Sequence, residues 1–338
     1  MVVGNRVWQW SIAGGLVALA AATLVGCGSS PASKKAASPT SVPATTSTTS
    51  TTSTTTTTTT TTTIPATSST GVVAAPVRVA HTAYGAVTYR EVGHGTPLVL
   101  IMGFGGTFDA WAPSFLNALA ADYRVVVFNN AGIGKTAALP PPLSISAMAD
   151  QTSALISALG LGRPDVLGWS MGGMIAQALA VLHPAQVARL VLAASQPGTG
   201  KAVPVPTAAA AALLSPNALA VLNVLFPANQ SAAEQAYLTG ILQYPGFYTV
   251  PATVMKAQEA AIAGWFAGTD PPGPRLTELR VPTLVADGTA DALDPVANDH
   301  QLAAAVPGAQ LVLYPDAGHA FLFQDAATFV PRLQQFLG

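Results

Sequence analysis

The amino-acid sequence predicts an α/β fold: a mostly parallel sheet of eight strands, flanked by helices and interrupted by a helical cap. Short apolar runs alternate with helical patterns along residues 76–338. The runs are continuously apolar, which is typical of strands buried on both faces of a parallel sheet. Half of the 338 residues are hydrophobic, so this part of the chain has enough apolar surface to build a core.

Eight runs predict the strands. The first two, residues 77–81 and 87–92, flank Tyr84-Gly85 and predict a hairpin at the sheet edge. The parallel strands are predicted at residues 98–101, 123–128, 165–167, 189–193, 282–286 and 310–314, with helices between them at segments such as 144–159 and 298–306. Parallel strands end at one common edge, where open α/β sheets hold their ligands.

The strand pattern stops over residues 196–276, which we interpret as a helical cap inserted after the sixth strand. Helical patterns lie near residues 207–225, 232–242 and 253–267. From residue 201 to residue 268 the charged residues are Lys201, Glu234, Lys256 and Glu259. The many apolar side chains either pack the cap or line an apolar substrate pocket, and the sequence does not separate these alternatives.

The N-terminus predicts a secretory signal over residues 1–26. Arg6 precedes an apolar run, residues 12–25, that is short for a membrane-spanning helix. Leu24-Val25-Gly26-Cys27 resembles the lipobox of bacterial lipoproteins, and the resemblance implies diacylglycerol attachment at Cys27 and a lipid anchor on the extracytoplasmic face of the cell membrane. An uncleaved anchor and a plain signal peptide remain alternatives. Cys27 is the only cysteine, so it has no disulfide partner within the chain.

Residues 27–75 predict a disordered linker. Threonine, serine, proline and alanine dominate, and residues 54–63 are an unbroken threonine run. Such a segment buries too little apolar surface to offset the entropy lost on ordering. We therefore expect a tether, open to O-glycosylation, between the lipid anchor and the domain.

Charge and spacing exclude several classes of function. The net charge is −1 and only 9% of residues are charged, which argues against nucleic-acid binding. Gly132-Ile133-Gly134-Lys135-Thr136 ends like a phosphate-binding loop, but that motif needs glycine where Asn129 stands. No cofactor is expected, and no cluster of histidine, cysteine or acidic residues in the sequence suggests a metal.

The segment Gly168-Trp169-Ser170-Met171-Gly172 follows a predicted strand and precedes a helical pattern. A Gly-x-Ser-x-Gly turn in this context is typical of a nucleophile elbow, in which the serine hydroxyl projects above the sheet. We predict Ser170 as the nucleophile and the Met171 N–H as a donor to the oxyanion. An ordinary turn is the alternative.

A serine nucleophile needs a base, and the base needs an orienting acid. Of five histidines, His319 follows a strand end and is the predicted base; a solvated loop histidine is the alternative. Three aspartates follow the strand at residues 282–286. Asp291 is the predicted acid because it lies in mid-loop, with Asp294 as runner-up or as a cap for the next helix, whereas Asp287 is expected to cap the turn.

The second oxyanion donor should follow an early strand. The strand at residues 98–101 leads into Met102-Gly103-Phe104-Gly105-Gly106, whose glycines let the backbone curl close to a ligand. The Phe104 N–H is the predicted donor. A plain glycine-rich turn remains the alternative.

Ser170, Asp291 and His319 in this order, together with Gly103-Phe104-Gly105-Gly106, resemble the α/β-hydrolase fold superfamily over residues 80–338. The likeness is greatest to capped members of the esterase, lactonase and iminopeptidase type. It implies an acyl-enzyme on the serine, proton transfer by the histidine, and a small-molecule ester or related acyl substrate. A non-catalytic binding module and an iminopeptidase-type peptidase are the alternatives.

Two segments depart from the usual pattern of that superfamily. Members usually have His-Gly after the third strand, where this chain has Met102-Gly103. Their Asp-x-Arg-Gly-x-Gly-x-Ser after the fourth strand is replaced by residues 129–136, Asn-Asn-Ala-Gly-Ile-Gly-Lys-Thr. Neither change removes a predicted triad residue, and both alter the hydrogen bonding expected around the oxyanion loop.

Overall fold

A computed structural model describes residues 71–246 and 250–338. The predicted signal peptide, Cys27 and most of the predicted linker lie outside the described residues. Within the described ranges, no helix has both the length and the apolar character needed to cross a membrane.

The predicted α/β architecture is confirmed. One sheet contains eight strands in the order β1-β2-β4-β3-β5-β6-β7-β8. The strands are β1 (Arg78–Thr82), β2 (Gly85–Val92), β3 (Thr96–Ile101), β4 (Tyr123–Phe128), β5 (Asp165–Trp169), β6 (Leu190–Ala193), β7 (Thr283–Gly288) and β8 (Gln310–Tyr314).

The antiparallel part of the sheet is confined to one edge. The predicted hairpin is present as β1 and β2, with Arg78 opposite Tyr89, and β2 pairs antiparallel with β4. Every remaining pair, from β4–β3 to β7–β8, is parallel. The carboxyl ends of the strands from β3 to β8 therefore all lie on the same side of the sheet, along the line where these strands end.

Both faces of the sheet are covered, as continuous apolar strands require. In β3, Leu98 and Leu100 belong to one buried cluster, whereas Val99 and Ile101 belong to a second. Successive side chains of a strand point to opposite faces, so the two clusters are the two cores of a three-layer structure.

Ten α-helices are found in the described residues. They are α1 (Pro113–Leu119), α2 (Ile145–Ala158), α3 (Met171–Leu182), α4 (Thr207–Leu213), α5 (Ala218–Leu225), α6 (Ser231–Ile241), α7 (Ala252–Phe266), α8 (Ala297–Ala305), α9 (Phe321–Gln324) and α10 (Ala326–Leu337). Helices α4 to α7 lie between β6 and β7.

One predicted helix is wrong in its extent. The pattern over residues 207–225 forms two helices, α4 and α5, instead of one. Pro216 disfavours helical backbone at the residue before it. Asn217 then caps the new helix, because its side chain accepts a hydrogen bond from the Leu219 N–H.

Candidate active site

Ser170 lies in a sharp turn between β5 and α3. Its φ of 58° and ψ of −123° are unusual for a residue with a side chain, and its N–H donates to Ala193 O at 2.9 Å. A Cβ atom at Gly168 would overlap the Gly172 carbonyl, and one at Gly172 would overlap the Ile101 carbonyl. The glycines are therefore required for strand, turn and helix to approach this closely.

His319 and Asp291 form a buried pair beside this turn. His319 Nδ1 lies 2.7 Å from Asp291 Oδ2, and both side chains are almost fully buried. The other carboxylate oxygen of Asp291 accepts the N–H groups of Leu293, at 2.6 Å, and Asp294, at 2.9 Å. Since Nδ1 is bonded to the acid, Nε2 is the ring nitrogen left to exchange a proton.

Trp169 ties the two halves of this arrangement together. Its indole Nε1–H donates to the backbone carbonyl of His319 at 2.9 Å, and the two rings are 5.8 Å apart between centroids. Trp169 precedes Ser170 in the chain, so this bond fixes the His319 loop against the end of β5. Ser170 Oγ itself has no hydrogen bond to any residue in the described ranges. Such contacts are often open without substrate.

The environment of His319 favours its protonated form. Burial by itself lowers the pKa of His319, but the Asp291 carboxylate and its hydrogen bond raise it by more. The charge of Asp294 raises it further. The pKa of His319 is consequently raised above its usual value, which favours acceptance of a proton from serine.

The loop after β3 runs close to Ser170. A Cβ atom at Gly103 would lie 3.1 Å from the Ser170 Cβ. Neither the Phe104 N–H nor the Met171 N–H forms a hydrogen bond with the part of the chain that the structure describes. Two unpaired backbone donors therefore flank the nucleophile, as an oxyanion hole requires.

The departures from the superfamily pattern have structural partners. Asn130 donates its side-chain amide to Met102 O at 2.8 Å, so it anchors the start of the loop that carries Phe104. Asn129 accepts the Phe108 N–H at 2.8 Å and donates to Thr88. Sequence reasoning identified both segments as unusual but missed that they meet.

Two cavities adjoin Ser170 beneath the cap. They enclose about 100 Å³ and about 520 Å³. Phe104, Leu213 and His319 line both cavities, as Ser170 does. The remaining walls are mostly apolar side chains from the oxyanion loop and the cap helices, among them Val221, Tyr237 and Met255 in the smaller cavity and Val205, Ile262 and Phe266 in the larger.

The three aspartates at and after the end of β7 have three different partners. Asp291 meets His319, and Asp287, which lies inside β7, accepts the N–H of the next residue, Gly288, at 2.6 Å. The alternative that Asp294 caps the next helix is wrong: α8 has no side-chain cap, and Asp294 accepts the side-chain amide of Asn298 at 2.9 Å. Asn298 in turn bonds the backbone of Val203 in the cap segment, so Asp294 is connected to the cap through Asn298.

A buried acidic cluster lies behind this loop. Oxygen atoms of Asp287, Asp294 and Asp299 lie within 4.8 Å of one another, a grouping that sequence spacing did not suggest. Burial raises the pKa of Asp294 to about 7 and that of Asp299 to about 9, and it raises that of Asp287 well above the usual range. Raised pKa values favour the protonated forms of Asp287 and Asp299 near neutral pH, which lessens the repulsion within the cluster, whereas Asp294, with a pKa of about 7, is still partly ionised there.

Known proteins share this architecture. A protein described as a carbamate hydrolase, RutD of Caulobacter sp. (strain K31), is 30% identical over 263 residues, covering 74% of this chain and 95% of its own. An alpha/beta hydrolase fold protein from Chitinophaga pinensis superposes with a TM-score of 0.70 at 26% identity, covering 79% of this chain and 98% of its own.

The esterase RhEst1 from Rhodococcus sp. ECU1013 superposes with a TM-score of 0.61 at 26% identity, covering 77% of this chain and 98% of its own. The family model of the alpha/beta hydrolase fold matches residues 96–326. This match spans β3 to α9 and includes the elbow, the acid loop and His319. The chain therefore belongs to the alpha/beta hydrolase fold family.

Proposed function

We propose that this protein is a serine hydrolase that cleaves a carboxylic ester or related acyl substrate through an acyl-enzyme on Ser170. The observation that carries the proposal is the buried His319–Asp291 pair, 2.7 Å apart, beside a serine in a strained turn. Such strain and desolvation are expected where a nucleophile is positioned for reaction. Relatives described as an esterase and a carbamate hydrolase support acyl chemistry.

In the proposed mechanism, His319 Nε2 takes the proton from Ser170 Oγ while Oγ attacks the substrate carbonyl. Asp291 holds the ring by Nδ1 and stabilises the imidazolium that forms. The N–H groups of Met171 and Phe104 donate to the tetrahedral oxyanion. Removing one such donor typically raises the barrier by about 2.7–4 kcal/mol.

The imidazolium then gives its proton to the departing alcohol oxygen, which leaves the acyl group on Ser170. A water molecule attacks this ester while His319 accepts its proton; the imidazolium then gives that proton to Ser170 Oγ as the acid is released, which restores both Ser170 and His319. Both half-reactions use the same base and the same two donors, so a single arrangement of side chains serves the whole cycle.

An ester fits the cavities better than a peptide with a free amine. An iminopeptidase-type site would need an acidic group to bind the substrate amine. Of the two glutamates in the cap, Glu234 does not line either cavity at Ser170, and Glu259 lines only the larger one and is exposed. The mostly apolar walls favour an uncharged acyl or alcohol group.

A fluorophosphonate probe tests the proposal. Folded wild-type protein should be labelled at Ser170, and Ser170→Ala should not be labelled and should lose about 10⁶-fold in kcat on nitrophenyl esters. Circular dichroism of the variant checks that the fold is kept. Absence of both labelling and ester turnover in well-folded wild-type protein would instead favour a non-catalytic binding module.

The proposal includes a lipid anchor at Cys27 on the extracytoplasmic face of the membrane. Its support is the Leu24-Val25-Gly26-Cys27 segment and the threonine-rich linker that follows, since this part of the chain lies outside the described residues. Several acyl chains give stable anchoring where one is marginal. Cells fed alkyne-palmitate should incorporate the label into wild-type protein and not into Cys27→Ala; equal labelling of the two would refute the anchor.

A further inference from the structure

The loop that carries Phe104 is bonded to the cap. The Gly105 N–H donates to the side-chain oxygen of Gln258 at 2.9 Å. Gln258 lies on α7, 153 residues further along the chain, and its side chain is fully buried. A helix of the inserted segment therefore holds the backbone immediately after the predicted oxyanion donor.

The same helix is fitted to two loops at the strand ends. A Cβ atom at Gly105, which has a φ of 63°, would lie 2.8 Å from the Met255 sulfur. A Cβ atom at Gly132, which has a φ of 76°, would lie 2.8 Å from a methyl group of Val254. Because side chains at both glycines are excluded by space and by backbone conformation, α7 can rest directly on the loops after β3 and β4.

Three hydrogen bonds set the orientation of successive peptide groups in this loop. Asn130 bonds Met102 O at 2.8 Å, the Gly106 N–H bonds Gly103 O at 3.3 Å, and Gln258 bonds the Gly105 N–H. The Gly103 carbonyl and the Phe104 N–H belong to one planar trans peptide and point in opposite directions. Fixing the peptides on either side therefore fixes the direction of the Phe104 N–H.

Gln258 is a poor choice for stability alone. Its Nε2 is buried and has no hydrogen-bond partner within residues 71–246 and 250–338. A buried, unpaired amide N–H is destabilising by about 1–3 kcal/mol, whereas an apolar residue of similar volume would avoid this. The side-chain oxygen of Gln258 makes a specific contact with the Gly105 N–H. This contact explains why a side chain with a buried, unpaired N–H group is present at this position.

We propose that Gln258 is a positioning residue for the oxyanion hole: it couples the cap to the reaction by holding the Gly105 peptide, and so aligns the Phe104 N–H. This inference rests on the proposed function of Ser170. It predicts that the cap contributes to the chemical step, and not only to the walls of the substrate cavities.

The test compares Gln258→Met with Val254→Ala. Met keeps the volume of Gln258 and removes the acceptor, so kcat on a nitrophenyl ester should fall by about 10- to 100-fold, with KM changed by less than about twofold because ground-state binding is kept. Val254→Ala removes packing from the same helix without touching the Gly105 bond, and kcat should stay within about threefold of wild type. An unchanged kcat in folded Gln258→Met would overturn the inference.

Two further measurements keep the test decisive. If Gln258→Met does not fold, Gln258→Asn takes its place. This variant keeps the amide but shortens its reach, so kcat should fall by a similar factor. Hydrogen exchange of the segment 103–107, measured without substrate, should be faster in the Gln258 variants than in Val254→Ala. Failure of the proposed function would appear separately, as absent labelling and turnover in wild-type protein, and exchange would still report whether Gln258 holds the loop.

Discussion

Two histidine–aspartate pairs in this protein have the same 2.7 Å separation and different surroundings. His183 Nε2 meets Asp150 with both side chains about one-third exposed, whereas His319 Nδ1 meets Asp291 in an almost fully buried site. The distance between two groups therefore does not identify a catalytic pair. Burial, the ring nitrogen that is bonded, and the neighbouring groups distinguish them.

Position in the fold explains the contrast. Helix α3 begins at Met171, beside the carboxyl end of β5, and runs for 12 residues before His183, a length of about 18 Å. Because the helix runs back toward the amino ends of the strands, His183 lies at the opposite strand ends from Ser170. His319 follows β8 and lies at the edge where the strand ends converge.

The largest expected difference between the pairs is in the rate of catalysis. Asp291→Asn should lower kcat by about 10⁴-fold, because the neutral amide neither fixes the ring tautomer nor stabilises the imidazolium. Asp150→Asn should leave kcat unchanged. Since both side chains of the Asp150 pair are about one-third exposed, its loss should also reduce the free energy of unfolding by at most about 1 kcal/mol.

Steady-state kinetics and thermal unfolding of both variants check this prediction. Equal kcat values for Asp291→Asn and wild type, with the fold intact, would mean that the buried pair is structural. A large loss of activity in Asp150→Asn would mean that the exposed pair also contributes to catalysis, which would contradict the distinction between the two pairs.

A smaller effect should appear in the pH dependence of kcat/KM. The base must be neutral, so activity should rise with pH as His319 loses its proton, and the raised pKa of His319 places this rise at higher pH than for an unperturbed histidine. Asp294 contributes to that raised pKa. Asp294→Asn keeps an acceptor for Asn298 but removes the charge, and it should move the rising limb to lower pH.

The exposed pair provides the control for the pH profile. Asp150→Asn should leave the rising limb where it is in wild type, because its pair lies at the far edge of the sheet. A limb that does not move in Asp294→Asn would show that the charge of Asp294 does not reach His319 in the working enzyme.

The fold was largely predictable because its signals are local. Continuous apolar runs marked the strands of the parallel sheet, and the Tyr84-Gly85 turn marked the hairpin. The wrong prediction of one helix over residues 207–225 also has a local cause. The alanine-rich pattern favours a continuous helix, whereas Pro216 and Asn217 divide it. A proline followed by a capping residue was the available signal for a new helix.

The candidate site was predictable to the extent that it depends on strand ends. The structure places Ser170, Asp291 and His319 at one edge, and it brings the last two into contact. Asn130, Trp169 and Gln258 were not predicted to bond Met102, His319 and Gly105, respectively. Their contacts join residues 28, 150 and 153 positions apart, and no periodicity or motif encodes a pairing at such separations.

By itself, the sequence determined the succession of strands and helices along the chain, the glycine-flanked turn at Ser170, and the loops that hold the candidate acid and base. These follow from backbone preferences and apolar periodicity, which act between near neighbours. Only the tertiary structure decided that Asp291 meets His319 while Asp294 meets Asn298, and that Gln258 meets Gly105. A hydrogen bond requires a donor–acceptor distance that is correct to within a few tenths of an ångström. Between residues far apart in the chain, that distance is set by how their helices, strands and loops pack together.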